Sequence, residues 1–147
     1  MFDFDKYEQE CTAIQTTNNE LLGVFENDLV LAGFSSKTIR SHLSNVDFYL
    51  NEYLLREDSH PMEDGVGMID GFLGDFFIRK CMWSTPSTIK STAASIKKFY
   101  KCMLDHGKIQ KREYDYLCSE IKDGMDRWQE DCALFNDPDE PNPFDWF

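Results

Sequence analysis

Apolar residues recur every three or four positions through most of the chain, and no segment shows the strict alternation of a half-buried strand. Leu21, Phe25 and Leu29 share one face of a predicted helix over residues 20–32, and Gly33 suits a left-handed cap after it. The pattern therefore predicts an all-α fold. Four further helices are predicted over residues 37–55, 68–80, 86–106 and 111–134.

Capping residues and loops set the limits of these helices. Thr85 stands before Pro86, the order expected for an N-cap followed by proline at the first helical position. Ser35 or Ser36 can cap the second helix, and the polar residues 56–67 predict a loop. The predicted organisation is an N-terminal segment over 1–19, a helical domain over 20–109, a helix packed on it over 110–136, and an acidic, proline-rich tail over 137–147.

The basic residues are concentrated in one part of an acidic chain. The 147 residues carry a net charge of −12, yet nine of the fifteen bases lie between Arg79 and Arg112, together with one acid, Asp105. That segment carries +8, whereas the other 113 residues, with 6 bases and 26 acids, carry −20. Because a polyanion meets a local face and not an average, this segment is where a nucleic-acid site is expected.

The sequence repeats itself at an offset of 50 residues. Thr38-Ile39-Arg40-Ser41 aligns with Thr88-Ile89-Lys90-Ser91, and each copy opens the second helix of a predicted helical hairpin. The run Gly-Phe-Ser-Ser-Lys-Thr-Ile over 33–39 and the run Thr-Pro-Ser-Thr-Ile-Lys over 85–90 resemble the N-terminal core-binding domain of tyrosine recombinases and phage integrases. The resemblance covers residues 21–109.

This resemblance implies a four-helix, SAM-like bundle of two crossed helical hairpins, to which the predicted C-terminal helix is an addition. In that family the second and fourth helices face duplex DNA, which the domain clamps opposite a catalytic domain. The chain departs from the family where residues 110–113 replace its usual Asn-Pro exit. Tyr114 and Tyr116 also lack the neighbouring arginines and histidine that would activate a nucleophilic tyrosine. We therefore expect no recombinase catalysis from this chain.

On a helical wheel, the fourth predicted helix carries a stripe of lysines beside its apolar face. A solvated helix face has the same appearance, and that alternative stays open. Because arginine is scarce there, the stripe favours phosphate contacts over base readout. The residues expected to contact DNA are Lys37, Thr38, Arg40, Ser41, Ser44, Thr88, Lys90, Ser91, Lys97, Lys98, Lys101 and Lys108.

Other kinds of chemistry find little support in the sequence. The five cysteines form no C-x-x-C motif and are expected to be free thiols in a reducing compartment. Cys102 and His106 are too few to hold zinc, and no Ser/His/Asp set or phosphate loop occurs, so we expect no cofactor and no enzyme activity. Without an apolar run of about 20 residues or a signal peptide, no membrane association and a cytoplasmic location are expected.

The sequence thus predicts a non-catalytic protein that binds double-stranded DNA weakly, as an accessory to or relic of DNA recombination or integration. A recombinase or another protein is a further expected partner. The alternative is a protein-interaction module that keeps the fold without binding DNA and docks its acidic surface on a basic partner. The tail is expected to be an extended segment and not a packed element: either a disordered, solubilising tail, or one that lies on the lysine stripe with Trp146 or Phe147 as its anchor.

Overall fold

The computed structural model describes residues 2–144, and within this range it is helical with no strand. Two π-helical segments, Phe48–Tyr53 and Phe72–Phe76, continue α2 and join α3 to α4, and a 3-10 helix spans Met62–Gly67. The prediction of an all-α fold is confirmed. The α-helices are α1 (Phe4–Leu31), α2 (Ser36–Asp47), α3 (Ile69–Gly71), α4 (Phe77–Lys80), α5 (Pro86–Asp105) and α6 (Lys111–Asn136).

Helix α1 is much longer than the predicted helix over 20–32, because residues 4–19 are helical as well. The Asp3 side chain caps it by accepting a hydrogen bond from the backbone N–H of Lys6 at 3.1 Å. The N-terminal half packs on the π-helical continuation of α2, where the Tyr7 hydroxyl donates to the carbonyl oxygen of Leu55. The expected loop over 56–67 likewise contains the 3-10 turn.

The predicted N-caps of α2 and α5 and the predicted glycine cap after α1 are formed as the sequence indicated. The hydroxyl of Thr85 accepts from the N–H of Thr88 at 3.0 Å, and Ser35 caps α2 in the same way. Gly33 and Gly107, which follow α1 and α5, have positive φ angles of 86° and 72°. Such left-handed caps favour glycine because it lacks a Cβ.

One core runs through the described residues and centres on the two repeat helices. Ile39 and Ile89, at equivalent positions of the repeat, are both buried. Helix α5 packs mainly on α6 and α2, while α3 and α4 lie against α6. The Phe72 ring also packs against the rings of Tyr49 and Tyr53 at 4.9 Å. The direct packing of α5 on α2 makes these two helices neighbours.

The Trp128 indole fills the space between α6 and α3. It is fully buried, and its Nε1–H donates to Asp70 Oδ1 at 2.7 Å. Gly74 and Gly124 face the ring, and a Cβ added at either position would overlap it. Gly74, a poor helix former within the predicted third helix, therefore makes room for this side chain.

The tail is described only as far as Phe144. Phe144 packs on the core, with its ring 6.1 Å from that of Phe135 and the Arg79 guanidinium 5.7 Å from it, although the tail was expected to remain unpacked. Trp146 and Phe147, the expected anchors on the lysine stripe, lie outside the described residues. Among residues 2–144, no helix has the combination of length and apolar character that a membrane crossing needs.

Candidate nucleic-acid interface

Helices α2 and α5 lie side by side and run in opposite directions. Phe34, just before α2, lies under Lys98 near the end of α5, with the ammonium nitrogen 5.0 Å from the ring centroid. At the other end, the ring of Phe48 meets that of Trp83, just before α5, at 5.8 Å. The exposed sides of the two helices therefore form one surface, which we call the α2–α5 face.

A polar junction joins the two helices along this face. The Ser95 hydroxyl is 2.7 Å from His42 Nδ1 and accepts a hydrogen bond from Asn45 Nδ2 at 3.0 Å. Ser95 itself donates to the carbonyl oxygen of Ser91 at 3.1 Å. Burial, and secondarily the charge of Lys98, lowers the pKa of His42. The junction therefore holds a neutral imidazole near pH 7 and adds no charge of its own.

Most of the predicted basic residues are exposed on the α2–α5 face. No ion pair among the described residues engages Lys37, Arg40, Lys90, Lys97 or Lys98, and all five are exposed. Their charges are therefore available to a polyanion.

Lys101 differs from these five, because its Nζ lies 2.6 Å from Asp105 Oδ1. It contributes less net charge to the face than the sequence pattern suggests. Lys108 lies beyond the end of α5, after Gly107 with its left-handed backbone conformation. The backbone N–H of Lys108 donates to the carbonyl oxygen of Met103 at 2.8 Å. It is exposed but does not continue the helical stripe.

The predicted hydroxyl residues fall into two groups. Thr38 and Thr88 are half-buried and take part in the N-terminal capping of α2 and α5. The threonine of the repeated Thr-Ile motif therefore stabilises the start of each helix. Ser41, Ser44 and Ser91 are exposed and line the face between the bases.

Two apolar side chains at the rim of the face were not among the predicted contacts. Met82 is fully exposed, and Trp83 is 58% exposed although its ring touches Phe48 and Phe77. Indole rings can stack on bases, and exposed apolar groups also mark protein interfaces. Their position before the N-terminus of α5 was readable from the sequence, but their exposure depends on how the turn packs.

A second cluster of reactive side chains lies at the C-terminal end of α5. Cys102 Sγ lies 3.1 Å from Asp28 Oδ2, and His106 Nε2 lies 2.8 Å from the same oxygen. Burial, and secondarily the hydrogen bond to Asp28, raises the pKa of the Cys102 thiol to about 12. The thiol is therefore protonated near pH 7, which argues against a nucleophilic Cys–His pair. The three donor atoms lie within 4.8 Å of one another and could hold a metal ion.

No protein-family model, no curated protein and no solved structure matches this chain. The resemblance to a recombinase core-binding domain thus stays a prediction based on residues 21–109.

Proposed function

We propose that this protein is a non-catalytic DNA-binding protein that uses the α2–α5 face to contact the phosphate backbone of a duplex. The proposal includes the finer fold prediction, a SAM-like core-binding bundle of two crossed hairpins extended by α6. A role as an accessory to, or relic of, DNA recombination or integration follows from that resemblance.

The observation that carries the proposal is the concentration of unpaired bases on two adjacent helices. Lys37 and Arg40 on α2 and Lys90, Lys97 and Lys98 on α5 are exposed, in a chain whose net charge is −12. A face that served only to solvate the protein would not need to separate its bases from 25 of the 27 acids; only Asp47 and Asp105 lie on the same two helices. Segregation of this kind creates a local positive potential that attracts phosphates.

The type of residue on the face indicates the mode of binding. Lysine and serine predominate, and these residues contact phosphate oxygens more than base edges. Binding is therefore expected to be weak and largely independent of sequence, with an affinity that falls steeply as salt rises. The acidic remainder of the molecule opposes the approach of DNA from other directions.

The test is a fluorescence-anisotropy titration of a labelled duplex with the whole chain, repeated from about 25 to 200 mM KCl. Lys97→Glu should weaken binding to unrelated duplexes alike and reduce the slope of log K against log salt by about 1. Lys6→Glu is the control, since it changes the charge equally at a different place. Lys6 lies 22 residues before Asp28 on α1, about 33 Å along the helix at 1.5 Å per residue, and Asp28 is the residue of α1 that contacts Cys102 near the end of α5.

Absence of binding at the lowest salt would refute the proposal. Equal weakening by Lys97→Glu and Lys6→Glu would refute the assignment of the face, because the effect would then depend on net charge alone.

The second candidate function is that of a protein-interaction module, which the exposed Met82 and Trp83 favour. Apolar side chains of this size on a surface commonly belong to a binding site. The same DNA titration of the unaltered protein and of Trp83→Ala distinguishes the two functions. A DNA-binding protein should bind the duplex in a salt-dependent way, with a reduced affinity in Trp83→Ala. An interaction module shows no affinity for the duplex before or after the change.

A further inference from the structure

The cluster at the C-terminal end of α5 has the donor atoms of a transition-metal site. Cys102 and His106 are four residues apart and project from the same face of the helix. Asp28 comes from α1, 74 residues earlier in the chain. Thiolate, imidazole and carboxylate together suit zinc and its neighbours in the first transition series, whereas calcium and magnesium prefer oxygen donors alone.

The spacing of these donors is close to what a metal ion requires. A tetrahedral zinc ion with bonds of about 2.0–2.3 Å separates its ligand atoms by roughly 3.3–3.8 Å. Asp28 Oδ2 lies 3.1 Å from Cys102 Sγ and 2.8 Å from His106 Nε2. The two donor pairs that share Asp28 therefore need to open by less than about 1 Å to admit an ion, and the donor atoms of Cys102 and His106, which lie within 4.8 Å of each other, adjust with them.

The three side chains differ in exposure, so the cluster has a buried base and is open to solvent on one side. Cys102 is buried at 6% exposure, whereas Asp28 is half-buried and His106 is exposed. An ion can enter from solvent past the imidazole and reach the sulfur at the base, and water can occupy the fourth coordination position.

We propose that Asp28, Cys102 and His106 bind one divalent transition-metal ion of the zinc class and thereby link α1 to the end of α5. On binding, the sulfur–metal bond replaces the S–H bond and that proton leaves to solvent, while the imidazole moves its ring proton from Nε2 to Nδ1, gives up its hydrogen bond to Asp28 and offers the Nε2 lone pair to the ion. About one proton is thus released per ion, and affinity falls as the pH is lowered. The site is independent of the proposed DNA-binding function.

The probe is cobalt(II) added to the reduced, metal-free whole chain. We expect saturation at one equivalent, with a thiolate-to-cobalt charge-transfer band in the near ultraviolet and visible d–d bands of tetrahedral intensity. Zinc should then displace the cobalt and remove these bands. Cys102→Ser should remove the charge-transfer band.

Two surface variants keep the proposal falsifiable if Cys102→Ser fails to fold. Asp28→Asn and His106→Gln should each weaken cobalt binding at least about tenfold, since even the loss of a residue behind a ligand commonly costs that much. His60→Gln is the matched control, because His60 Nδ1 pairs with Asp64 Oδ2 at 3.2 Å without a thiol nearby. Its cobalt affinity and spectrum should be those of the unaltered protein.

Three results would overturn the assignment. They are the absence of a charge-transfer band at one equivalent, a band that survives in folded Cys102→Ser, and binding that Asp28→Asn and His106→Gln leave unchanged.

Discussion

Replacing Gly124 by alanine tests whether the Trp128 indole lies where the structure has it. Gly124 is in the middle of α6, and a methyl group there would overlap the ring of Trp128, with the indole Nε1 only 2.8 Å away. Trp128 is fully buried and tied to Asp70 by a hydrogen bond of 2.7 Å. The ring therefore cannot move away without breaking that bond.

Two opposing contributions set the size of the effect. Alanine improves helix propensity by about 1 kcal/mol over glycine. Against this, forcing a methyl group into a filled core costs about 1–3 kcal/mol, and weakening the hydrogen bond to the carboxylate of Asp70 costs about 1.5 kcal/mol or more. We expect Gly124→Ala to lower the free energy of unfolding by about 1.5–3.5 kcal/mol, a fall in Tm of about 5–11 °C for a chain of this length.

Gly23→Ala is the matched control, because Gly23 is in the interior of α1 and an added Cβ meets nothing within 4 Å. This variant should gain about 0.5–1 kcal/mol. Urea unfolding followed by circular dichroism measures both changes. If Gly124→Ala is as stable as the unaltered protein, or gains as much as Gly23→Ala, the placement of the indole is wrong.

Two further predictions concern the α2–α5 face. Thr85→Ala removes the N-cap acceptor of the Thr88 N–H and should cost about 1 kcal/mol in urea unfolding, while Thr85→Ser should recover most of it; equal stability of all three would contradict the capping role. The pKa of His42 is lowered in the folded state by burial and by Lys98, so the unfolded chain binds the proton more readily. Stability should therefore be full above pH 6.5 and fall as the pH drops towards 5, and His42→Gln should flatten this decline; a slope that persists in the variant would assign it to other groups.

The helices that the sequence predicted well are those with strong local signals. Thr85 before Pro86, and Gly33 and Gly107 after the first and fourth predicted helices, specify starts and stops through backbone chemistry that needs no tertiary context. The first half of α1 carries a weaker signal. Its inward positions, Tyr7, Cys11, Ile14 and Asn18, are correctly spaced but include a single aliphatic residue.

Tertiary proximity explains the rest of the difference between sequence and structure. The lysines of α5 could be placed on one face from their spacing, and the pair of Lys101 with Asp105 is likewise local, since the two residues are four apart on the helix. Asp28 could not be assigned to Cys102 and His106, because their closeness depends on how α1 packs on α5. Local periodicity contains no information about that packing.

The opposite directions of α2 and α5 have a consequence for the symmetry of the face. Each helix N-terminus carries roughly half a positive charge from its aligned peptide dipoles, and here one lies beside Lys98 and the other beside Phe48. Thr38 and Thr88 take part in capping these N-termini, which lie at opposite ends of the face. A rotation by 180° about the centre of the face therefore exchanges the two N-termini. The backbone of a duplex has the same kind of two-fold symmetry. The two dipole ends would therefore act alike on a rod of phosphates in either orientation, and any polarity must come from side chains that the repeat does not share, such as Lys97, whose counterpart on α2 is Asp47.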